Sequence, residues 1–242
     1  MLNFKENKLL VFIAALTKKK IATLTVILLS FIMIGNAQNL YNVYDFDIAG
    51  LKLKMPLSEA ILIGIEVTNI VDVEEFRAYT AYGNKAMVQF IVAELKSQGK
   101  HVDDFFSYNT RKHPLTEEDM VYYVEFKTET FVLGMFAVTE LKKDDPQEIL
   151  CKIQYRLLDN YNEGLGEAIR RDAISKYGKP SAERTHLQWC KELKKGGNYC
   201  SMDNPVLYAT GTSVCLEDDK LRKESEKFWA KKEGEHTKKL GF

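Results

Sequence analysis

Apolar and polar positions along this chain follow two periods, and the change between them organises it. After an extended entry over residues 41–53, Ile61, Leu62 and Ile65 recur at helical spacing behind Pro56, which predicts a short, largely buried helix over 56–67. Met87, Phe90, Ile91 and Leu95 form one stripe over 84–98, with Gly99 as the stop. Residues 100–118, with His113-Pro114, read as a loop. The pattern then turns to β over 120–128, 131–141 and 149–157, the last two separated by a turn signal at 142–147. In the third run Ile149, Cys151, Ile153, Tyr155 and Leu157 alternate with Leu150, Lys152, Gln154 and Arg156, which is the signature of a half-buried strand. A further helix is predicted over 165–177, ended by Gly178 and Pro180, and further strands over 184–191 and 206–216. The expected fold is α+β, an antiparallel sheet of about five strands with helices packed on one face. Residues 217–242 read as a separate, charged C-terminal helix with only Leu221, Phe228 and Trp229 on its apolar side.

A different pattern precedes all of this. Ile21 to Gly35 is uncharged and nearly all apolar, follows Lys18-Lys19-Lys20, and ends at Gly35-Asn36-Ala37 with small residues where a signal peptidase reads. Its 15 residues fall short of the roughly 20 that cross a bilayer as a helix. Residues 1–37 are therefore expected to be a signal peptide cleaved near Ala37, making a transient membrane contact and leaving a periplasmic or secreted protein. The alternative is an inner-membrane anchor formed by residues 21–35. A second apolar patch at 9–16 fits a signal poorly, and an initiator at Leu16, if encoded by TTG, gives a signal of ordinary length. The folded part is expected over 38–216, large enough for one domain with its own core.

Charge and cysteine narrow the function. The chain has 34 basic and 34 acidic residues, and the first 37 hold five Lys and one Glu, so the remainder carries about −4. With no basic block, nucleic acid is not an expected partner. All four cysteines, Cys151, Cys190, Cys200 and Cys215, follow the apolar segment at 21–35 by more than a hundred residues. An even number in an exported protein points to disulfides. Gly196-Gly197 permits a reversal that favours Cys190 with Cys200, which leaves Cys151 with Cys215. Four free thiols is the reading for a chain that is not exported.

Two segments carry a family likeness. Gly50-Leu51-Lys52-Leu53-Lys54-Met55 followed by Ser58-Glu59-Ala60 is similar to the entry to the first helix in bacterial envelope domains of the SmpA/OmlA and β-lactamase-inhibitor-like (BLIP-like) type. Ala173 to Ser181 (AISKYGKPS), followed by Trp189, resembles a section of exported proteins that share this opening. The resemblance covers about 30 residues. Lys54 stands where that pattern has Gly, and Pro56 where it has a capping Ser or Thr. It implies helices on an antiparallel sheet that binds other proteins, and no catalysis.

Catalytic chemistry has little to stand on. There is no G-x-S-x-G. His186 and Cys190, four apart on a predicted strand, lie roughly 13 Å from each other, too far for an ion pair. His101, His113, His186 and His236 are dispersed without metal-ligand spacing. The carboxylate pairs Asp103-Asp104, Glu117-Glu118 and Asp218-Asp219 fall in loops or at helix starts, where capping accounts for them. No catalytic, cofactor or metal residue is therefore assigned, and no cofactor is expected. The aromatic cluster Phe105, Phe106, Tyr108, Tyr122, Tyr123 and Phe126 is more suggestive, because an aromatic displayed on a sheet anchors protein recognition. Tyr122, Tyr123 and Phe126 are the candidate contacts, with Tyr123 pointing opposite to Tyr122 and Phe126. The expected function is a non-enzymatic domain binding a protein or envelope component through its sheet face or the Cys190 to Cys200 loop. The alternative is an exported hydrolase whose site assembles only in three dimensions.

Overall fold

A computed structural model describes residues 40–113, 118–140, 147–158 and 163–239, so the export segment, the start at Leu16, Glu117, most of the 142–147 turn and the His236 side chain lie outside the described residues. Within them the fold is α+β with one antiparallel sheet of eight strands. Helices α1 (Leu57–Thr68), the short α2 (Val73–Arg77) and α3 (Gly83–Ser97) precede strands β1 (Phe106–Lys112), β2 (Asp119–Lys127), β3 (Phe131–Thr139) and β4 (Glu148–Leu157). Helix α4 (Glu163–Tyr177) then precedes β5 (Ala182–Glu183), β6 (Leu187–Cys190), β7 (Val206–Ala209) and β8 (Ser213–Glu217), and α5 (Asp219–Lys239) closes the chain. The spatial order is β1-β2-β3-β4-β8-β7-β6-β5. Two helix-then-meander halves thus join where β8 pairs with β4 at the centre.

The main core lies between one sheet face and α1, α3 and α4. Leu57, Ala60, Ile61 and Ile65 of α1 and Met87, Val88, Ile91 and Leu95 of α3 meet Phe106, Val124, Phe126, Leu133, Met135, Leu150 and Ile153. Ala173 and Tyr177 of α4 cover Leu187, Trp189, Leu207 and Leu216, and the Trp189 indole N–H donates to the carbonyl of Gly178 at 2.9 Å. The period-2 and period-3.6 patterns meet here, each burying its apolar face against the other.

Four expectations need correction. The sheet has eight strands rather than about five. Residues 106–112 form β1, not a loop, because an edge strand that buries only Phe106 has no apolar alternation to show. The run 206–216 is two strands around a turn in which Thr210 Oγ1 accepts from the backbone N–H groups of Thr212 and Ser213. Helices lie on one face only in the first four cases. The fifth, α5, crosses the other face, where Leu221 packs on a small cluster of Phe136, Val138, Ile149 and Cys151.

The departures from the resembled pattern are visible in the backbone. Lys54 adopts φ +66°, the left-handed conformation that glycine takes without steric cost, and its ammonium sits 4.1 Å from the centre of the Tyr44 ring. Pro56 occupies the N-cap position of α1 with no side-chain cap, and its fixed φ of −55° leads the chain into the first turn.

Candidate functional site

The second sheet face is the feature with room for a partner. Its cross-strand row runs Glu125, Gly134, Gln154, Cys215, Tyr208, Gln188, each residue directly opposite the next. The neighbouring row runs Tyr123, Phe136, Lys152, Glu217, Val206, Cys190. Helix α5 covers the end of this face near Val138 and Ile149 and reaches His113, whose ring lies 4.9 Å from that of Trp229. Beside it, Tyr123, Glu125, Val132, Gly134, Gln154 and Arg156 line an open groove of about 180 Å³.

Gly134 explains the groove. A glycine inside a central strand costs packing and marks a place where another group approaches the backbone. The Tyr123 ring leans toward this gap, packs on Phe136 at 4.4 Å between centroids, and donates its hydroxyl to Glu125 Oε2. Burial and the Glu125 carboxylate push the Tyr123 phenol well above its ordinary range, so it stays a neutral donor. Arg156 is exposed at the groove's other side, and Lys152 bridges to Glu217 at 3.4 Å between β4 and β8.

The three aromatic candidates separate. Tyr123 is half-buried on the second face and opposite to Phe126, as its position in the strand predicts. Tyr122 is the unpaired residue of the β1–β2 irregularity, half-buried, with the Arg111 guanidinium 5.9 Å from its ring centre. Phe126 is fully buried against Phe106 and α1, so it is a core residue and not a contact. Sequence reasoning missed Glu125, Gly134, Gln154 and Arg156. The last two were visible as the polar side of β4's alternation.

The cysteines separate too. Cys190 and Cys200 form a disulfide with Cα atoms 5.9 Å apart, across a hairpin whose reversal uses Gly196 at φ +107° and Gly197 at φ +75°. Gln188 Oε1 holds the loop by accepting from the backbone N–H of Cys200 at 3.0 Å. Cys151 and Cys215 are thiols, which corrects the second expected bridge. Cys215 lies opposite Gln154, three positions along β4 from Cys151. At about 3.3 Å per residue that offset places their Cα atoms on the order of 10 Å apart, beyond bridging range. Burial pushes the Cys151 thiol up to about 12 and the Cys215 thiol up to about 11, which makes both poor nucleophiles.

A larger cleft of about 400 Å³ opens where α5 begins, lined by Tyr44, Lys54, Glu140, Lys191, Asp218 and Lys220 among others. Its central groups already have structural tasks. Tyr44 donates to Asp218 Oδ2 at 2.6 Å, and Asp218 Oδ1 caps α5 by accepting from the backbone N–H of Leu221 at 2.9 Å. Burial, then the hydrogen bond to Asp218, raises the Tyr44 phenol far above the range useful for proton transfer. Among the described residues no three His, Cys, Asp or Glu side chains gather closely enough to hold a metal ion, and no helix is long and apolar enough to cross a membrane.

The fold and face define an α+β domain with a broad antiparallel sheet left partly open on one side. Comparison with protein-family models, with curated proteins and with solved structures gave no match.

Proposed function

We propose that the chain is an exported, non-enzymatic domain that binds a protein or envelope component through the open part of its second sheet face. The observation that carries this reading is the groove around Gly134, where an aromatic, a carboxylate, a carboxamide and an exposed guanidinium stand together with no helix among the described residues covering them. Such a patch offers an aromatic anchor and directional polar contacts, the two components of a recognition surface. The resemblance at residues 50–60 and 173–181 supports the same reading, because it implies a sheet that binds other proteins. The Cys190 to Cys200 hairpin borders this face through Gln188 and extends the surface available to a partner.

The test is site-specific photocrosslinking in the producing cells. A photoreactive residue at Gln154 should capture one defined envelope species, and Arg156→Glu should abolish that capture. A control at Lys96, on the exposed side of α3, should capture nothing. Equal capture at both positions, or capture unaffected by Arg156→Glu, overturns the reading. Export itself is tested by intact mass from the envelope fraction, where a species beginning at Gln38 is expected and a full-length cytosolic species overturns it.

One observation favours the hydrolase as a second reading, namely the polar lining of the cleft at Lys54 and Asp218. If that cleft is catalytic, Asp218→Asn abolishes hydrolysis of a test ester or amide while the binding face is untouched.

A further inference from the structure

Helix α5 is attached unlike the other helices. Among its described residues Leu221, Ser225 and Trp229 form one inward line at i, i+4 spacing, with Phe228 half-buried beside Trp229. Ser225 is 1% exposed and Trp229 8% exposed, yet neither Ser225 Oγ nor Trp229 Nε1 has a hydrogen-bond partner among the described residues. Two of the three inward positions therefore bury a polar atom that solvent would satisfy. The ion pairs of Arg222 with Asp219 and Glu226, of Lys223 with Asp219 and of Lys232 with Glu235 join the helix to itself and do not tie it to the sheet. Beneath it, Phe136, Val138, Ile149 and Cys151 form a small cluster separate from the main core. By contrast α1 buries an unbroken apolar face in that core, and α3 buries Met87, Val88, Ile91 and Leu95 there, with its one unpartnered buried atom among the described residues, Asn84 Oδ1, confined to the first turn.

We propose that α5 is a displaceable cover, which lifts from the strip Val138, Ile149 and Cys151 while the sheet and the other helices stay folded. Lifting hydrates the Ser225 hydroxyl and the Trp229 indole, and it lengthens the open face by an apolar strip continuous with Tyr123 and Phe136. The opening goes beyond the binding reading and stands without it, since it is measured on the chain alone.

Two free thiols report it. Cys151 lies under Leu221, whereas Cys215 lies in β8 beside Tyr208, fully buried and outside the cluster that Leu221 covers. Unreduced native protein is exposed to iodoacetamide over a series of low urea concentrations, and each thiol is followed by peptide mass. Cys151 should react at least roughly tenfold faster than Cys215, with little dependence on urea, as local opening requires. Ser225→Ala removes one unsatisfied buried hydroxyl and should slow Cys151 roughly tenfold while leaving Cys215 unchanged. A smaller ratio between the thiols, a shared urea dependence, or a Ser225→Ala rate equal to or above wild type overturns the proposal. None of these outcomes bears on photocrosslinking at Gln154, so the two ideas fail separately.

Discussion

Replacing Gly64 by alanine tests how the helices are seated on the sheet. Gly64 lies in the middle of α1, directly over Phe126 of β2. A Cβ built there falls 2.3 Å from Phe126 Cε2, 2.7 Å from Cδ2 and 3.0 Å from Cζ. Carbon atoms at rest stand about 3.5 to 4.0 Å apart, so ring and helix must separate by roughly 1.2 Å. The ring has no free direction, because Phe126 is fully buried and Phe106 lies 5.2 Å away between centroids. Overpacking of this kind costs about 3 kcal/mol, and the better helix propensity of alanine returns about 1 kcal/mol. The expected net loss is about 2 kcal/mol. Urea unfolding followed by far-ultraviolet circular dichroism reads it as a midpoint lowered by about 1 M, for a slope of about 2 kcal/mol/M. Phe126→Leu shortens the ring, so the double variant should lose less than the two single losses added, with a coupling of about 1 kcal/mol. A Gly64→Ala protein as stable as wild type, or strict additivity in the double variant, would refute the close approach.

Three further outcomes follow from other parts of the fold. Denatured, unreduced protein should alkylate at two cysteines and reduced protein at four, because the structure holds one disulfide and two thiols; a fully blocked unreduced chain would restore the second bridge. The Cys190→Ser, Cys200→Ser variant opens a loop with a sequence separation of 10 and should lose about 2.7 kcal/mol in the chain-entropy treatment, read by urea unfolding. Burial pushes the Asp47 carboxyl up, but hydrogen bonds from the Lys176 ammonium at 2.8 Å and the Gly50 N–H at 3.0 Å outweigh it and hold the group below its ordinary value. A carboxyl held low stabilises fully above its unfolded value near 4 and loses that contribution as pH falls through the lower folded value. The stability gap between wild type and Asp47→Asn, measured by urea unfolding from pH 3 to 7, should be constant above about pH 5 and close below about pH 4. A gap that widens in acid would reverse the assignment.

The elements legible in the sequence are those whose burial is one-sided and apolar. Ile61 and Ile65 announce α1, and Met87, Ile91 and Leu95 announce α3, whereas the alternation of β4 holds only from Lys152 onward. An irregularity opposite Phe136 and Ala137 puts Leu150 with Ile153 in the main core and turns Ile149 and Cys151 to the other face. What stayed hidden is structure stabilised by pairing and not by burial. β1 is an edge strand with three successive exposed residues, Tyr108, Asn109 and Thr110, so its ladder with β2 leaves no hydrophobic period to read. β5 is two residues long. Pairing of Cys190 with Cys200 was legible because Gly196-Gly197 fixes a local reversal, whereas the relation of Cys151 to Cys215 depends on a register between β4 and β8 that no local signal encodes. The groove was half legible. Gln154 and Arg156 lay on β4's polar side, but which residues face them depends on Gly134 and Glu125 pairing in register across β3 and β2.

The cleft and the C-terminal helix belong to one mechanical unit. Lys54, in its left-handed conformation, places its ammonium over the Tyr44 ring, and the Tyr44 hydroxyl donates to Asp218. Asp218 in turn caps α5, and its own backbone N–H donates to the carbonyl of Cys151 at 2.8 Å. The entry segment is anchored to the same place, because Lys54 N donates to the Leu150 carbonyl at 2.8 Å and Leu150 N donates to the Met55 carbonyl at 2.9 Å. Every contact in this series is a hydrogen bond or a cation held against a ring, and together they tie the first turn of α5 to β4 and to the entry segment. Beyond that turn the helix rests on Trp229, packed against His113 and Phe228, with unsatisfied polar atoms among the described residues at Ser225 and at the Trp229 indole. A helix pinned at one end and weakly seated along its length moves by swinging about the pin, so Asp218 is where such a swing would turn. The carboxylates and lysines of the cleft then read as the fittings of a hinge, which accounts for acid and base groups that gather there without a serine, threonine or cysteine among the residues that line it.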